Sequence, residues 1–213
     1  MARAAAVAPS GSPDAPRRRR GAASREKILA AAGRALRRDG PERLGVLPVM
    51  REAGLTHGGF YAHFASRDDL VAEAIRGIFA EGAAKFARRT AGLDGLAAIR
   101  TWIGGYVTPA HRDNAEGGCG MAALASDLAR LPPQARAAFD EGLRGIAGRL
   151  ASRLPQRPGF DAEAFAFALM AEMAGAVALS RSVSDRDFSD RILTAARTSL
   201  LARLDTLEPG QTA

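Results

Sequence analysis

"GLTHGGFYAHF", residues 54–64, is the stretch on which the fold turns. It sets two adjacent glycines, Gly58 and Gly59, where the neighbouring residues favour a helix, and surrounds them with two histidines and three aromatics. Each glycine costs about 1 kcal/mol relative to alanine in a helix interior, so a helix here is short and poorly propensed. Thr56 is a good N-cap residue, and Leu55 before it can clasp Phe60 four positions past the cap, a hydrophobic staple. Phe60 and Phe64 lie one turn apart and face inward together, which turns Tyr61, Ala62 and His63 away from that contact. A small aromatic core accounts for Phe60 and Phe64. It does not account for Tyr61 and His63, which lie on the wrong face.

Outward from this segment the pattern is helical on both sides. Ser24 opens a helix with Ile28, Leu29, Ala32, Ala35 and Leu36 at three- and four-residue spacing, ending at Asp39-Gly40-Pro41. A second, short helix covers about Val46 to Ala53, with Val46, Val49 and Met50 as its apolar side, Pro48 in its first turn and Gly54 as the break. Ser66 with Asp69 forms a capping box for a fourth helix running through Leu70, Ala74 and Ile78 towards Arg89. Further helical segments follow at residues 92–107, 121–131, 132–154, 161–183 and 185–204, with an irregular stretch before Gly120. Pro132 and the Pro155/Pro158/Gly159 break punctuate them. Strand alternation is absent and no internal repeat is present, so the sequence predicts an all-α protein.

Charge placement divides the chain. Residues 1–67 carry 13 Lys and Arg against 5 Asp and Glu, whereas residues 68–213 carry 17 against 18. A basic front on a neutral body is the footprint of a polyanion-binding module, although an anionic membrane surface would attract it too. The division predicts a disordered basic arm over residues 1–22, a polyanion-binding unit over 23–67 and a larger helical unit over 68–213. Cys119 is the single cysteine, so no intrachain disulfide forms. The N-terminus lacks the apolar run of an export signal. The most apolar segment, residues 164–180, is interrupted by Glu172 and falls short of the ~20 residues of a membrane span. A cytoplasmic protein with no membrane partner is expected.

The run from Ser24 to Ile75, and within it "AGLTHGGFYAHF" followed by "SRDDL", closely resembles the N-terminal DNA-binding domain of TetR-family transcriptional regulators. The resemblance implies a three-helix helix-turn-helix domain followed by a larger helical effector-binding and dimerisation domain. It makes His57, Gly58, Gly59, Tyr61, Ala62 and His63 the groove-facing set on double-stranded operator DNA. Tyr61 and His63 would donate to phosphates, and His57 to a phosphate or a base edge. Thr56 would cap the helix and reach a phosphate. Arg67, where members usually have Lys, would hold another, with Ser24 and Arg25 as further candidates at the start of the first helix. Members commonly carry Thr or Ser where Gly45 stands, and a polar side chain at Gly59, so a cap and a base-reading group are both missing here. Glycines at the helix start allow its free N–H groups and positive dipole end to press against the phosphate wall.

For the remaining helices the resemblance covers number and order only. It implies a homodimer through the last two helices, whose small residues Ala164/Ala168, Ala171/Gly175 and Ala174/Ala178 allow close packing. It also implies a small-molecule pocket on the middle helices, with Phe79, Phe86, Trp102, Tyr106, Cys119, Met121, Met170 and Met173 as lining candidates. Each of these is equally explained as core filling. Methionines suit an adaptable apolar cavity, which points to a hydrophobic or aromatic effector. Cys119 precedes a helix and could be a thiolate sensor of oxidants or electrophiles, or a quiet buried thiol. "GCGMAA", residues 118–123, loosely fits a dinucleotide fingerprint but has no preceding strand. Three histidines give no metal site, and no nucleophile–base pair is present. The expectation is therefore a ligand-responsive repressor with no enzymatic activity, cofactor or metal. An activator, an effector-independent DNA binder and a Cys119 sensor remain as alternatives.

Overall fold

The computed structural model describes residues 15–208, with side chains from residue 19. Helix α1 spans Ala15–Asp39 and buries the stripe Ile28, Ala31, Ala32, Ala35 and Leu36. It begins well before Ser24, so residues 15–22 are helical rather than part of a disordered arm, and residues 1–14 of that arm lie outside the described residues. The reason is propensity: Ala and Arg are strong helix formers, Pro16 sits in the first turn where its missing N–H is harmless, and only Gly21 opposes them. Gly40, at φ 79°, closes the helix.

α2 (Val46–Glu52) packs Val49 and Met50 against α1. Its N-cap Gly45 makes no side-chain bond, and a Cβ there would stand 3.0 Å from Pro48 Cδ. The proline ring that fits the first turn thus crowds the position of a Cβ at the cap. Gly54, at φ 71°, turns the chain. The next segment is a 3₁₀ helix, His57–Ala62, and Thr56 at its N-cap makes no side-chain hydrogen bond, contrary to the cap expected of it. The tighter winding suits a two-turn element with two glycines, where i→i+3 bonds such as His63 N–H to Phe60 O (2.9 Å) replace the α-helical ladder.

α3 (Arg67–Arg89) starts at Ser66, whose hydroxyl accepts from Asp69 N at 3.1 Å. Asp69 returns its carboxylate to Ala65 N, one residue before the reciprocal partner of a standard capping box. α3 is the spine shared by both halves: it packs on α1 and on α7. Around it stand α4 (Gly95–Tyr106), α5 (Pro109–Asp113), α6 (Gly120–Leu124), α7 (Pro133–Ala151), α8 (Ala162–Ser182) and α9 (Arg186–Asp205). Two expectations are corrected here. The irregular stretch contains α5, opened by Thr108 accepting from His111 N at 3.2 Å. The helix expected over 121–131 is broken into α6 and a 3₁₀ turn at Leu128–Arg130.

α8 and α9 are capped by Asp161 and Asp185 and pack along one another. α8 is long and apolar enough by length and composition to cross a membrane, longer than the run 164–180 suggested. Its Glu172 pairs with Arg203 of α9 at 2.8 Å, so that carboxylate is met by protein.

Candidate nucleic-acid interface and cavity

The reading segment is built from the inside out. Phe60 and Phe64, 1% and 2% exposed, stack with centroids 5.7 Å apart and fix the 3₁₀ helix to the core. Tyr61 on the opposite side is 73% exposed. His57, Gly58 and Ala62 are exposed with it, and Gly59 and His63 partly so. Neither glycine is needed by the protein interior. Both have ordinary negative φ. A Cβ on Gly58 would meet nothing within 4 Å, and one on Gly59 only Met50 Cε at 3.8 Å and Thr56 Oγ1 at 3.9 Å.

The flanking basic residues divide. Arg25 bonds Glu73 at 3.1 Å and lies 5.2 Å from the Phe64 ring centroid, beside a half-buried Ser24. Arg67 donates from Nε to Leu44 O at 2.9 Å and from its terminal nitrogen to Pro41 O. These bonds tie down the α1–α2 connection. Lys27, Arg43 and Arg51, in contrast, are exposed and form no ion pair among the described residues. Sequence reading passed over them because a cation's intramolecular partners are visible only in three dimensions.

A second feature lies between α1, α3, α4, α6 and α7. This cavity of about 80 Å³ is lined by Phe79, Phe86, Trp102, Tyr106, Cys119 and Met121, six of the expected residues, with Ile78, Ile146 and Leu150. Phe86 meets Trp102 edge-on at 5.2 Å, and the Tyr106 and His111 rings stand 4.5 Å apart. The Tyr106 hydroxyl donates to Cys119 Sγ, and both residues are buried. Met170 and Met173 are buried in the core instead and do not line the cavity. α8 is apolar nearly all round, so its sequence carries no phase from which to tell the cavity side from the rest.

The cavity also holds groups that sequence reading did not single out: Arg37, Lys85, His111 and Arg149. Burial, with Arg181, Lys85 and Arg89 nearby, lowers the His111 pKa to about 4 and leaves the ring neutral at physiological pH. Burial beside Cys119 raises the Tyr106 pKa well above its ordinary value, keeping the phenol protonated. Arg37 connects the cavity to the reading head. It leaves α1 to bond Glu116 O at 2.8 Å and Glu81 of α3 at 2.5 Å, while Lys85 bonds Glu81 and Gly117 O, each at 2.8 Å.

Two family models cover most of this architecture. Residues 28–74 match the model described as bacterial regulatory proteins, tetR family, and residues 95–196 match the tetracyclin repressor-like C-terminal domain. The chain belongs to the TetR family. It is a transcriptional regulator with an N-terminal helix-turn-helix DNA-binding domain. Members bind operator DNA and small-molecule effectors, typically as dimers, and act as regulators rather than enzymes. No curated protein matches it. Among solved structures, a TetR regulator from Chloroflexus aurantiacus is similar with a TM-score of 0.73 and 23% identity, over 88% of this chain and 96% of that one. A TetR-family regulator from Agrobacterium tumefaciens gives 0.71 and 22% over 86% and 98%, and E. coli NemR in its reduced form 0.71 and 18% over 83% and 94%. At these identities the likeness is one of fold. In this TetR-family regulator the head and the cavity are thus parts of one helical frame, joined by α3 and by Arg37.

Proposed function

We propose that this regulator is a cytoplasmic, homodimeric repressor that leaves its operator when a small hydrophobic or aromatic molecule enters the cavity. The observation that carries the DNA half is the outward Tyr61 beside two glycines that nothing inside the protein requires. In this reading His57, Gly58, Gly59, Tyr61, Ala62 and His63 face the groove, Thr56 reaches a phosphate, and Lys27, Arg43 and Arg51 supply free positive charge around them. Arg25 and Ser24 border the surface. Two heads about one DNA turn apart, ~34 Å, would read a pseudo-palindrome.

A gel shift on the DNA upstream of its own gene tests this. Affinity should fall with a log–log salt slope of about −4 or steeper, as displaced counterions require. Tyr61→Phe, which removes only the hydroxyl, should weaken binding about a hundredfold if each head loses ~1.5 kcal/mol of a charge-assisted bond. Binding that is insensitive to both salt and Tyr61 would leave the basic front without a role.

The effector half rests on volume. Ligand sites usually offer ~300 Å³ or more, whereas this cavity holds about 80 Å³. An effector must therefore push its walls apart, and those walls are tightly set: a Cβ on Gly142 would lie 2.2 Å from the Phe79 ring, and one on Gly120 2.5 Å from Ile78 Cγ2. Ile78 and Phe79 belong to α3, so expansion moves the helix that carries the head. The effector acts only by binding the DNA-incompetent arrangement better than the competent one. Cys119 in this reading is a lining thiol, covered by Tyr106, and not a sensor. Treatment of the free protein with iodoacetamide should leave operator affinity unchanged within about twofold, since a buried thiol reacts slowly. Loss of binding in step with alkylation would favour the sensor instead.

A further inference from the structure

Every formally charged side chain lining the cavity is a cation: Arg37, Lys85 and Arg149, with no Asp or Glu among the lining residues. Arg37 and Lys85 share a single carboxylate, Glu81, so this cluster holds more positive charge than it balances. Arg37 is buried, its side chain 4% exposed, and its Nε has no hydrogen-bond partner. His111 Nε2 is likewise buried and unpartnered. Arg149 feels burial alone, which lowers its pKa, with no carboxylate close enough to offset it. Beyond Tyr106 and His111 an open groove adds Arg88 and Arg89, again without a lining carboxylate. An unpaired buried donor such as Arg37 Nε is costly and uncommon, and here it borders an apolar space shared with the unpartnered His111 Nε2.

We infer that the effector is an anion, a small aromatic or aliphatic carboxylate whose apolar body meets Phe86 and Trp102 and whose charge is met by Arg149 and by Nε of Arg37. The inference rests on the cavity being the effector site. A neutral apolar ligand would leave these donors unpaired, and a cationic one would face three like charges. A carboxylate at Arg37 Nε also adds a second negative charge to a guanidinium whose terminal nitrogen already holds Glu81. Repulsion between the two carboxylates weakens the pair that fastens α1 to α3.

Trp102 is the single tryptophan of the chain and lies in the cavity wall, so its fluorescence reports occupancy. The full-length protein is titrated with benzoate, benzamide and benzylammonium, three probes of similar shape and different charge. Benzoate should bind at least about tenfold more tightly than benzamide, and benzylammonium weakest of all. Arg149→Met should cut the benzoate preference below about threefold and Arg37→Met should reduce it, with helical circular dichroism retained. Should Arg37→Met fail to fold, Arg149→Met alone decides. Benzamide binding as tightly as benzoate, or a preference untouched by Arg149→Met, overturns the anion assignment and leaves the effector site standing. No response to any probe at ~10 mM, a dissociation constant weaker than about 3 kcal/mol of binding, overturns the effector site and the anion assignment together.

Discussion

Gly58→Leu is expected to leave the stability of the free protein unchanged within about 0.5 kcal/mol while weakening operator binding about a thousandfold. The two effects separate because they have different causes. No atom lies within 4 Å of the position a Cβ would take on Gly58, and the backbone there has negative φ. The leucine therefore enters open solvent in the free protein, and its helix propensity is better than that of glycine. In the proposed complex the same space belongs to the sugar-phosphate wall, against which the first turn presses to bring its N–H groups to phosphate. A four-carbon side chain holds the head away. If each head loses ~2 kcal/mol, a dimer loses about 4, close to a thousandfold. Gly59→Ala is the graded version: its Cβ makes ordinary contact with Met50 and Thr56, so stability is kept while affinity falls by less. Thermal melts and fluorescence anisotropy on the same samples check both halves. A melting temperature that drops in parallel with affinity would mean the glycines serve the fold after all.

That contrast shows what sequence could and could not tell about the head. Phe60 and Phe64 were legible as core because one-turn spacing puts two aromatics on one face, and Tyr61 was legible as exposed by the same geometry. The 3₁₀ winding was not legible, because Thr56 followed by a staple pair looks the same whether the next turn closes i→i+3 or i→i+4. The bonds Arg67 makes within the protein were illegible for a different reason. A cation at a helix start next to a basic surface reads as a phosphate ligand, and only the fold brings the carbonyls of Pro41 and Leu44 within its reach.

The cavity followed the same rule. Aromatics on α3 and α4 were found, since their helices are amphipathic enough to give each residue a side. Met170 and Met173 were not placed, because α8 offers apolar residues at almost every angle. The cations Arg37, Lys85 and Arg149 escaped because each sits on a helix face that reads as solvated. Their meeting around one space depends on how α1, α3 and α7 converge, a tertiary fact with no local signature.

Leu179→Glu is expected to convert the proposed dimer to a monomer at ~10 µM and to weaken operator binding by at least about a hundredfold. Leu179 is 61% exposed on α8, with Phe167 of α8 at 47% and Phe188 of α9 at 45%. Along α8 the exposed positions Ala164, Ala168 and Ala171 recur at helical spacing with Phe167 and Leu179, and Gly175 has open space where its side chain would be. α9 continues the surface with exposed Phe188, Ala195, Ser199 and Ala202. A face of small residues flanked by large apolar ones lets two copies approach closely, and burying it stabilises the pair by roughly 25 cal/mol per Å². In a two-fold interface one substitution appears twice. Each glutamate must then be buried without a partner, at a cost of several kcal/mol per charge, or the subunits part. The protomer itself should be unharmed, because an exposed Leu179 contributes little to its own core, and circular dichroism should show the same helix content. Light scattering reads the mass and anisotropy reads the affinity, which falls because a lone head must pay the full entropy of association without its twin. A Leu179→Glu protein that remains a dimer with native affinity would place the subunit contact on some other surface.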